Sequence, residues 1–222
     1  STGSLNFLII GFCMGVCNGF AIPLAHKFGA GDYRGLRAFM VNAIYLSAIF
    51  AVVMTAVTVV FCRPILELMR TPDNIIDGAY LYIVIIFAGI PATYLYNLIS
   101  AIIRSMGDSK TPVVFLVISS VMNIALDLVF IINLHLGVAG ASLATVISQA
   151  VSGIGCLIYS WKKFEILHPD AEERRWNSSY MKTLCGMGVP MGLQYSITAI
   201  GSVILQSAVN TLGSNAVASM TA

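Results

Sequence analysis

The chain has 222 residues, 58% of them hydrophobic and only 10% charged, with a formal net charge of +2 and a mean hydropathy of +0.86. A soluble domain carries roughly 25% charged residues, so the composition excludes an ordinary soluble domain and indicates an integral membrane protein. The lipid bilayer is the expected partner, and no nucleic acid is expected.

Six apolar spans are expected. Leu5 to Ala25 is the first, with Gly11, Gly15 and Gly19 on one helical face. Small residues at this spacing let a second helix approach closely, either as ordinary packing or as a sliding surface. The loop from His26 to Arg37 is polar and glycine-rich, but it follows no strand and lacks the Walker pattern of a phosphate cradle. Ala38 to Cys62 is the second span. In the connection from Arg63 to Gly78, Pro64 and Pro72 argue against one continuous helix. Ala79 to Ile103 is the third span, with Pro91 after Gly89 in its middle. This pair bends the rod and makes Pro91 a candidate hinge, or equally a static kink.

A tight polar turn, Arg104 to Thr111, leads to the fourth span, Pro112 to Leu134. Ser109 or Thr111 is placed to cap it, and Pro112 suits its first turn. A short turn holds His135, expected to be exposed. Val138 to Trp161 is the fifth span and opens on the small-residue run GVAGASLATVISQ. Lys162 to Lys182 is too polar to span and reads as a linker, and Leu184 to Leu212 is the sixth span.

Five cysteines (Cys13, Cys17, Cys62, Cys156, Cys185) lie within or beside these spans, with no CxxC or Cys/His ligand spacing. Neither a disulfide framework nor a zinc or other transition-metal site is indicated, and they read as small apolar packing residues. The N-terminus STGSLNFLII has no basic region or cleavage site of a signal peptide. Both ends read as cut, so a fragment of a longer protein is expected.

If six spans alternate sides, ten of the twelve Lys and Arg fall in the loops His26–Arg37, Arg104–Thr111 and Lys162–Lys182, and only Arg63 and Arg70 fall opposite. This asymmetry places the loops His26–Arg37, Arg104–Thr111 and Lys162–Lys182 in the cytoplasm and runs the first helix inward.

The fourth span holds one charge, Asp127, and no other span holds any. A carboxylate at that depth costs about 2.5–3.5 kcal/mol or more unless it is compensated. Asn123 precedes it by one turn on the same face. Asp127 lies about 10 Å from the outer helix end at Leu134, and Thr145 lies at the same depth on the antiparallel fifth span. Carboxylate, amide oxygen and hydroxyl are hard ligands suited to a small hard cation. A carboxylate also takes up protons, and proton and cation then compete for one site. That competition is the coupling chemistry of a secondary antiporter, with Na⁺ or H⁺ as the ion and no other cofactor. The alternative is structural: Asp127 bonds across helices and holds the bundle together.

Several stretches carry a family resemblance. GAGD (Gly29–Asp32), RSMGDSKTP (Arg104–Pro112), NIALD (Asn123–Asp127), LGVAGASLATVISQ (Leu136–Gln149) and GVPMGLQYS (Gly188–Ser196) occur in order. In them the chain resembles the multidrug and toxic compound extrusion (MATE) family over nearly its whole length. The resemblance implies an all-α polytopic membrane bundle that is part of a twelve-helix, two-lobe transporter, in which the six spans are helices two to seven. Residues 1–161 would belong to the N-terminal lobe, 162–183 to a cytoplasmic interlobe linker and 184–222 to the start of the C-terminal lobe. It also implies a cation site in the first lobe. Asn123, Asp127 and Thr145 match three of its ligands, and a fourth, an Asp on helix one, would precede Ser1. The chain would then not transport alone, but only with the remaining helices of the full-length transporter.

The family exports cationic, amphipathic or aromatic drugs, so small organic cations are the implied cargo and the inner (plasma) membrane the implied location. A lipid-linked oligosaccharide or polysaccharide flippase of the same wider superfamily is the alternative. No Lys or Arg lies inside an expected span, which favours cationic or neutral cargo. An enzyme is not expected, because HExxH, GxSxG and a second intramembrane carboxylate are all missing from the sequence.

Overall fold

The computed structural model describes residues 2–68, 72–211 and 219. Seven α-helices follow one another: α1 (Thr2–Gly29), α2 (Tyr33–Leu68), α3 (Asp73–Ala88), α4 (Ile90–Ser105), α5 (Lys110–Leu128), α6 (Gly137–Lys163) and α7 (Ser178–Thr211). One π-helical turn, Val129–Asn133, prolongs α5, and one 3-10 turn, Glu165–Leu167, follows α6. No strand occurs among the described residues. Five helices are long and apolar enough to cross a membrane, and α3 with α4 forms a sixth span as a bent pair. The all-α bundle, with five to six candidate spans among the described residues, is therefore present. Arg70 and Leu212, where the sixth expected span ends, lie outside the described residues.

Two spans depart from simple rods. Helix α2 runs past Cys62 to Leu68 and takes Pro64 inside it. Pro72 directly precedes α3. Arg63 links α2 to α3, 3.6 Å from Glu67 and 3.2 Å from Asp77. The third span is broken at Gly89, with a 44° bend between α3 and α4. The Gly89 N–H is shared between the carbonyls of Ile85 and Ile86, at 3.1 Å each. Pro91, in the first turn of α4, lacks an N–H where the helix needs none. A Cβ on Gly89 would stand 2.4 Å from Cγ2 of Val146, so the bend packs directly onto α6. Pro91 itself is exposed.

The core gathers around α1. Cys13, Val16, Cys17, Phe20 and Leu24 are fully buried, against Leu36 and Ala43 of α2, Phe87 of α3 and Ile103 of α4. The cysteines are free thiols. Helix α5 is the opposite case, burying only Thr111 and Pro112. His135 lies in the exposed turn after the π-helical segment, with φ of 51°.

Loops assigned to the same side by charge meet in the structure. Arg34 pairs with Glu172 at 2.6 Å, Arg37 with Glu173 at 2.7 Å, and Lys163 with Asp108 at 3.6 Å. The polar segment after α6 is folded against the inner end of α2. Asn42, fully buried, donates to the Arg175 carbonyl at 3.4 Å and accepts the Asn177 N–H at 2.9 Å. Tyr45 donates its hydroxyl to the Arg174 carbonyl at 2.8 Å. Helix α7 has already begun at Ser178, so the last residues of the expected linker are helical.

Candidate functional site

The candidate site lies between α5 and α6. Asn123 Nδ2 donates to Thr145 Oγ1 at 3.2 Å, and the Thr145 hydroxyl donates to the Ala141 carbonyl at 3.1 Å. Among the described residues the Asn123 amide oxygen has no hydrogen bond. Asp127 lies one turn further along the same face of α5 and is half-buried. Its Oδ1 is shut away from the surface with no hydrogen-bond partner. The structure thus brings Asn123 and Thr145 into contact, while Asp127 bonds neither of them. The π-helical turn begins two residues after Asp127. Such turns widen a helix locally and recur at functional sites. Among the described residues no three His, Cys, Asp or Glu side chains converge.

A second arrangement joins α1 and α7, which run antiparallel. A Cβ on Gly15 would stand 2.6 Å from Gly192 Cα, and one on Gly19 would stand 2.5 Å from Gly188 Cα. The backbones therefore touch, and only glycine fits. Gly11 differs, since its Cβ would meet Tyr195 Cβ at an ordinary 3.9 Å. Toward the outer end the helices part and leave a groove of about 760 Å³, lined by Phe7, Ile10, Met14, Tyr195 and Val203 among others. At the inner end of the groove, Asn18 Nδ2 donates to the Tyr195 hydroxyl at 3.3 Å, and Arg104 donates to Asn18 Oδ1 at 2.9 Å. The sequence puts Arg104 in a polar turn. In the structure it belongs to the last turn of α4, and its side chain reaches Asn18 of α1.

Outside the spans, the inner loops hold depressed carboxyls. Glu173 is held below the usual carboxylate range, first by the hydrogen bonds from Arg37 and then by the Asp170 N–H. Asp108 is lowered by the Thr111 hydroxyl and by the N–H groups of Thr111 and Lys110, which it caps at the start of α5.

The family model for MatE matches residues 1–129, more than half of the chain. The chain belongs to the MatE family. Probable multidrug resistance protein YoeA of Bacillus subtilis (strain 168) is 32% identical to this MatE chain over 221 residues, covering 96% of the chain and 48% of the relative. The inward-facing conformation of a multidrug resistance MATE family transporter of the MOP superfamily matches with a TM-score of 0.84 and 25% identity, over 98% of this chain and 50% of that one. A MOP superfamily transporter from Pyrococcus furiosus Vc1 (DSM3638), whose reverse polarity of the binding pocket suggests a different function, matches with a TM-score of 0.85 and 26% identity, over 97% of this chain and 48% of that one. The chain spans about half the length of the curated relatives it matches. MatE proteins are transporters and not enzymes.

The sequence reading missed the Arg104–Asn18–Tyr195 chain. Its signal was available: Asn18 is a polar residue in the middle of the first apolar run.

Proposed function

We propose that this chain is half of a secondary antiporter, in which Asp127 takes up and releases Na⁺ or H⁺ in exchange for amphipathic drugs, organic cations among them. The observation that carries this reading is the buried, unpartnered Oδ1 of Asp127 beside the Asn123–Thr145 bridge. An intramembrane carboxylate spent on holding helices together would have its oxygens bonded across the helix pair. Here the crossing bond is made by the neutral pair, and the acid is left with capacity for a cation or a proton. The multidrug names of the relatives support drugs rather than a lipid-linked sugar as cargo.

On this reading Asn123 and Thr145 position the site, Asp127 carries the charge, and the remaining helices of the full-length transporter complete the site and the path. No cofactor is needed beyond the coupling ion, and the protein works in the plasma membrane. The segment 162–183 links the lobes, and α7 opens the second. The test is ethidium efflux from vesicles holding the full-length protein, driven by an imposed Na⁺ or H⁺ gradient. Asp127→Asn is expected to abolish gradient-driven efflux, and dependence on one gradient alone names the ion. Undiminished efflux in the variant would remove Asp127 from the mechanism.

A further inference from the structure

The turn between α4 and α5 and the last turns of α6 enclose an open hollow of about 770 Å³. Asp108, Lys110, Val114 and Phe115 line it from the turn and α5, and Tyr159 and Lys163 line it from α6. Its one acid is already bonded. Asp108 accepts the N–H groups of Lys110 and Thr111 at 3.1 Å each and the Thr111 hydroxyl at 2.6 Å, which ties the carboxylate to the first turn of α5, with the Lys163 ammonium 3.6 Å away. Lys110 and the neighbouring Lys162 are exposed, and neither has a carboxylate within ion-pair distance among the described residues. Three ammonium groups thus stand against one carboxylate at this end of the α5–α6 pair.

The surroundings place the hollow at the level of lipid headgroups. Its turn and the end of α6 lie on the side that the Lys and Arg asymmetry assigns to the cytoplasm. Tyr159 and Trp161 are exposed there, and aromatic and basic side chains gather at the membrane–water boundary. The Lys163 ammonium is held 5.2 Å from the Tyr159 ring centroid and 5.3 Å from that of Phe164, so it is ordered before any ligand arrives. From the hollow an apolar stripe runs outward along α5. Val114, Val117 and Val121 share one helical face, and each is more than half exposed.

We infer that this hollow seats the headgroup of an anionic phospholipid of the inner leaflet, with its phosphate on Lys110 and Lys163 and an acyl chain along Val114, Val117 and Val121. Basic pockets between spans on the cytoplasmic side recognise such headgroups by charge, and hydrogen bonds from an ammonium to a phosphate oxygen are among the stronger ones. A zwitterionic headgroup brings its own cation against the lysines and is disfavoured. The stripe decides between a lipid and a free phosphate, because a free phosphate has no apolar part to lay along it.

The experiment is equilibrium binding of fluorescent phosphatidylglycerol and phosphatidylcholine, with the same acyl chains, to the full-length protein in neutral detergent. Phosphatidylglycerol is expected to bind about tenfold tighter. Lys110→Gln leaves the Lys163–Asp108 pair in place and should weaken phosphatidylglycerol about fivefold, with phosphatidylcholine held within about twofold. Adding Lys163→Gln should abolish the preference, while Lys182→Gln, in the first turns of α7, should leave it unchanged. Equal binding of the two lipids to the unaltered protein overturns the inference. So does a loss from Lys182→Gln equal to that from Lys110→Gln, which makes the attraction a general field of the basic face. Displacement of phosphatidylglycerol by inorganic phosphate at a comparable concentration also overturns it and makes the hollow a free-phosphate site. No ion gradient is applied, so failure of the coupling role of Asp127 leaves this result standing, and failure here leaves that role standing.

Discussion

Helices α1 and α7 meet backbone to backbone, where Gly15 and Gly19 face Gly192 and Gly188. Helices α5 and α6 are instead spaced by side chains: the Phe115 ring lies over Gly155 and against Tyr159, and the Asn123–Thr145 bond crosses further out. The first seam has no room to adjust where the glycines meet, and its polar groups, Asn18 with Tyr195 and Ser196 with the Leu8 carbonyl, are hydrogen-bonded across it. The second has polar groups left incompletely bonded and one helix, α5, exposed along nearly all its length. Tight contact is built where side chains are missing, and chemical capacity sits where hydrogen bonds are missing.

The largest expected effect comes from breaking the tight seam. Gly19→Val places two methyl groups where even a Cβ stands 2.5 Å from Gly188 Cα. Both partners there are backbone, so relief requires α7 to move away. A loss of about 3 kcal/mol is expected, read as a fall in the thermal unfolding midpoint of the full-length protein in detergent. Gly11→Ala on the same face should leave the midpoint within about 0.5 kcal/mol, since its Cβ meets only an ordinary contact at 3.9 Å. Equal effects at the two positions would show that the glycines matter for helix propensity and not for close approach.

A smaller effect is expected where the inner end of α2 is fastened to the segment preceding α7. Glu173 is 4% exposed and takes two bonds from Arg37, at 2.7 and 2.9 Å, and one from the Asp170 N–H at 2.9 Å. Glu173→Gln removes the charge and half of the fork, for about 1–3 kcal/mol. Because its carboxyl is depressed in the fold, its contribution is complete above the ordinary Glu range and fades as pH falls through the lowered value. The unaltered protein should therefore lose stability on acidification below about pH 4.3, and the variant should lose less over the same interval. Parallel pH profiles for the two would remove the clamp.

The six spans were legible because apolar runs of about twenty residues report the bilayer directly, and the bend was legible because Gly89 and Pro91 are local signals. The fastening of α2 was not, since Arg37 and Glu173 are 136 residues apart and each alone reads as a loop charge. The glycine face of α1 could be seen, but its partner could not, nor that Gly11 stands outside the close contact. In the candidate site the i, i+4 spacing put Asn123 and Asp127 on one face, and antiparallel depth pointed to Thr145, which the structure brings to Asn123. The division of labour within the site was hidden: the neutral pair bonds, the acid does not, and a π-helical turn follows. Side-chain choice among three oxygen-bearing groups is decided by packing geometry, which spacing alone does not carry.

The smallest effect on stability should come from Asp127→Asn, and this sharpens the contrast between the seams. The Asp127 carboxylate is half-buried, and its inward oxygen has no hydrogen bond to lose. Replacing it with a neutral amide of the same shape removes a desolvated charge. Burying a charge without a partner is unfavourable, so the change in unfolding free energy should lie within about 1 kcal/mol. The same substitution is expected to abolish gradient-driven efflux. A residue kept for structure loses both properties together when it is changed; one kept for ion exchange loses function alone. A marked destabilisation by Asp127→Asn would place the acid among the contacts that hold α5 to α6, and the coupling role would then fall to another group.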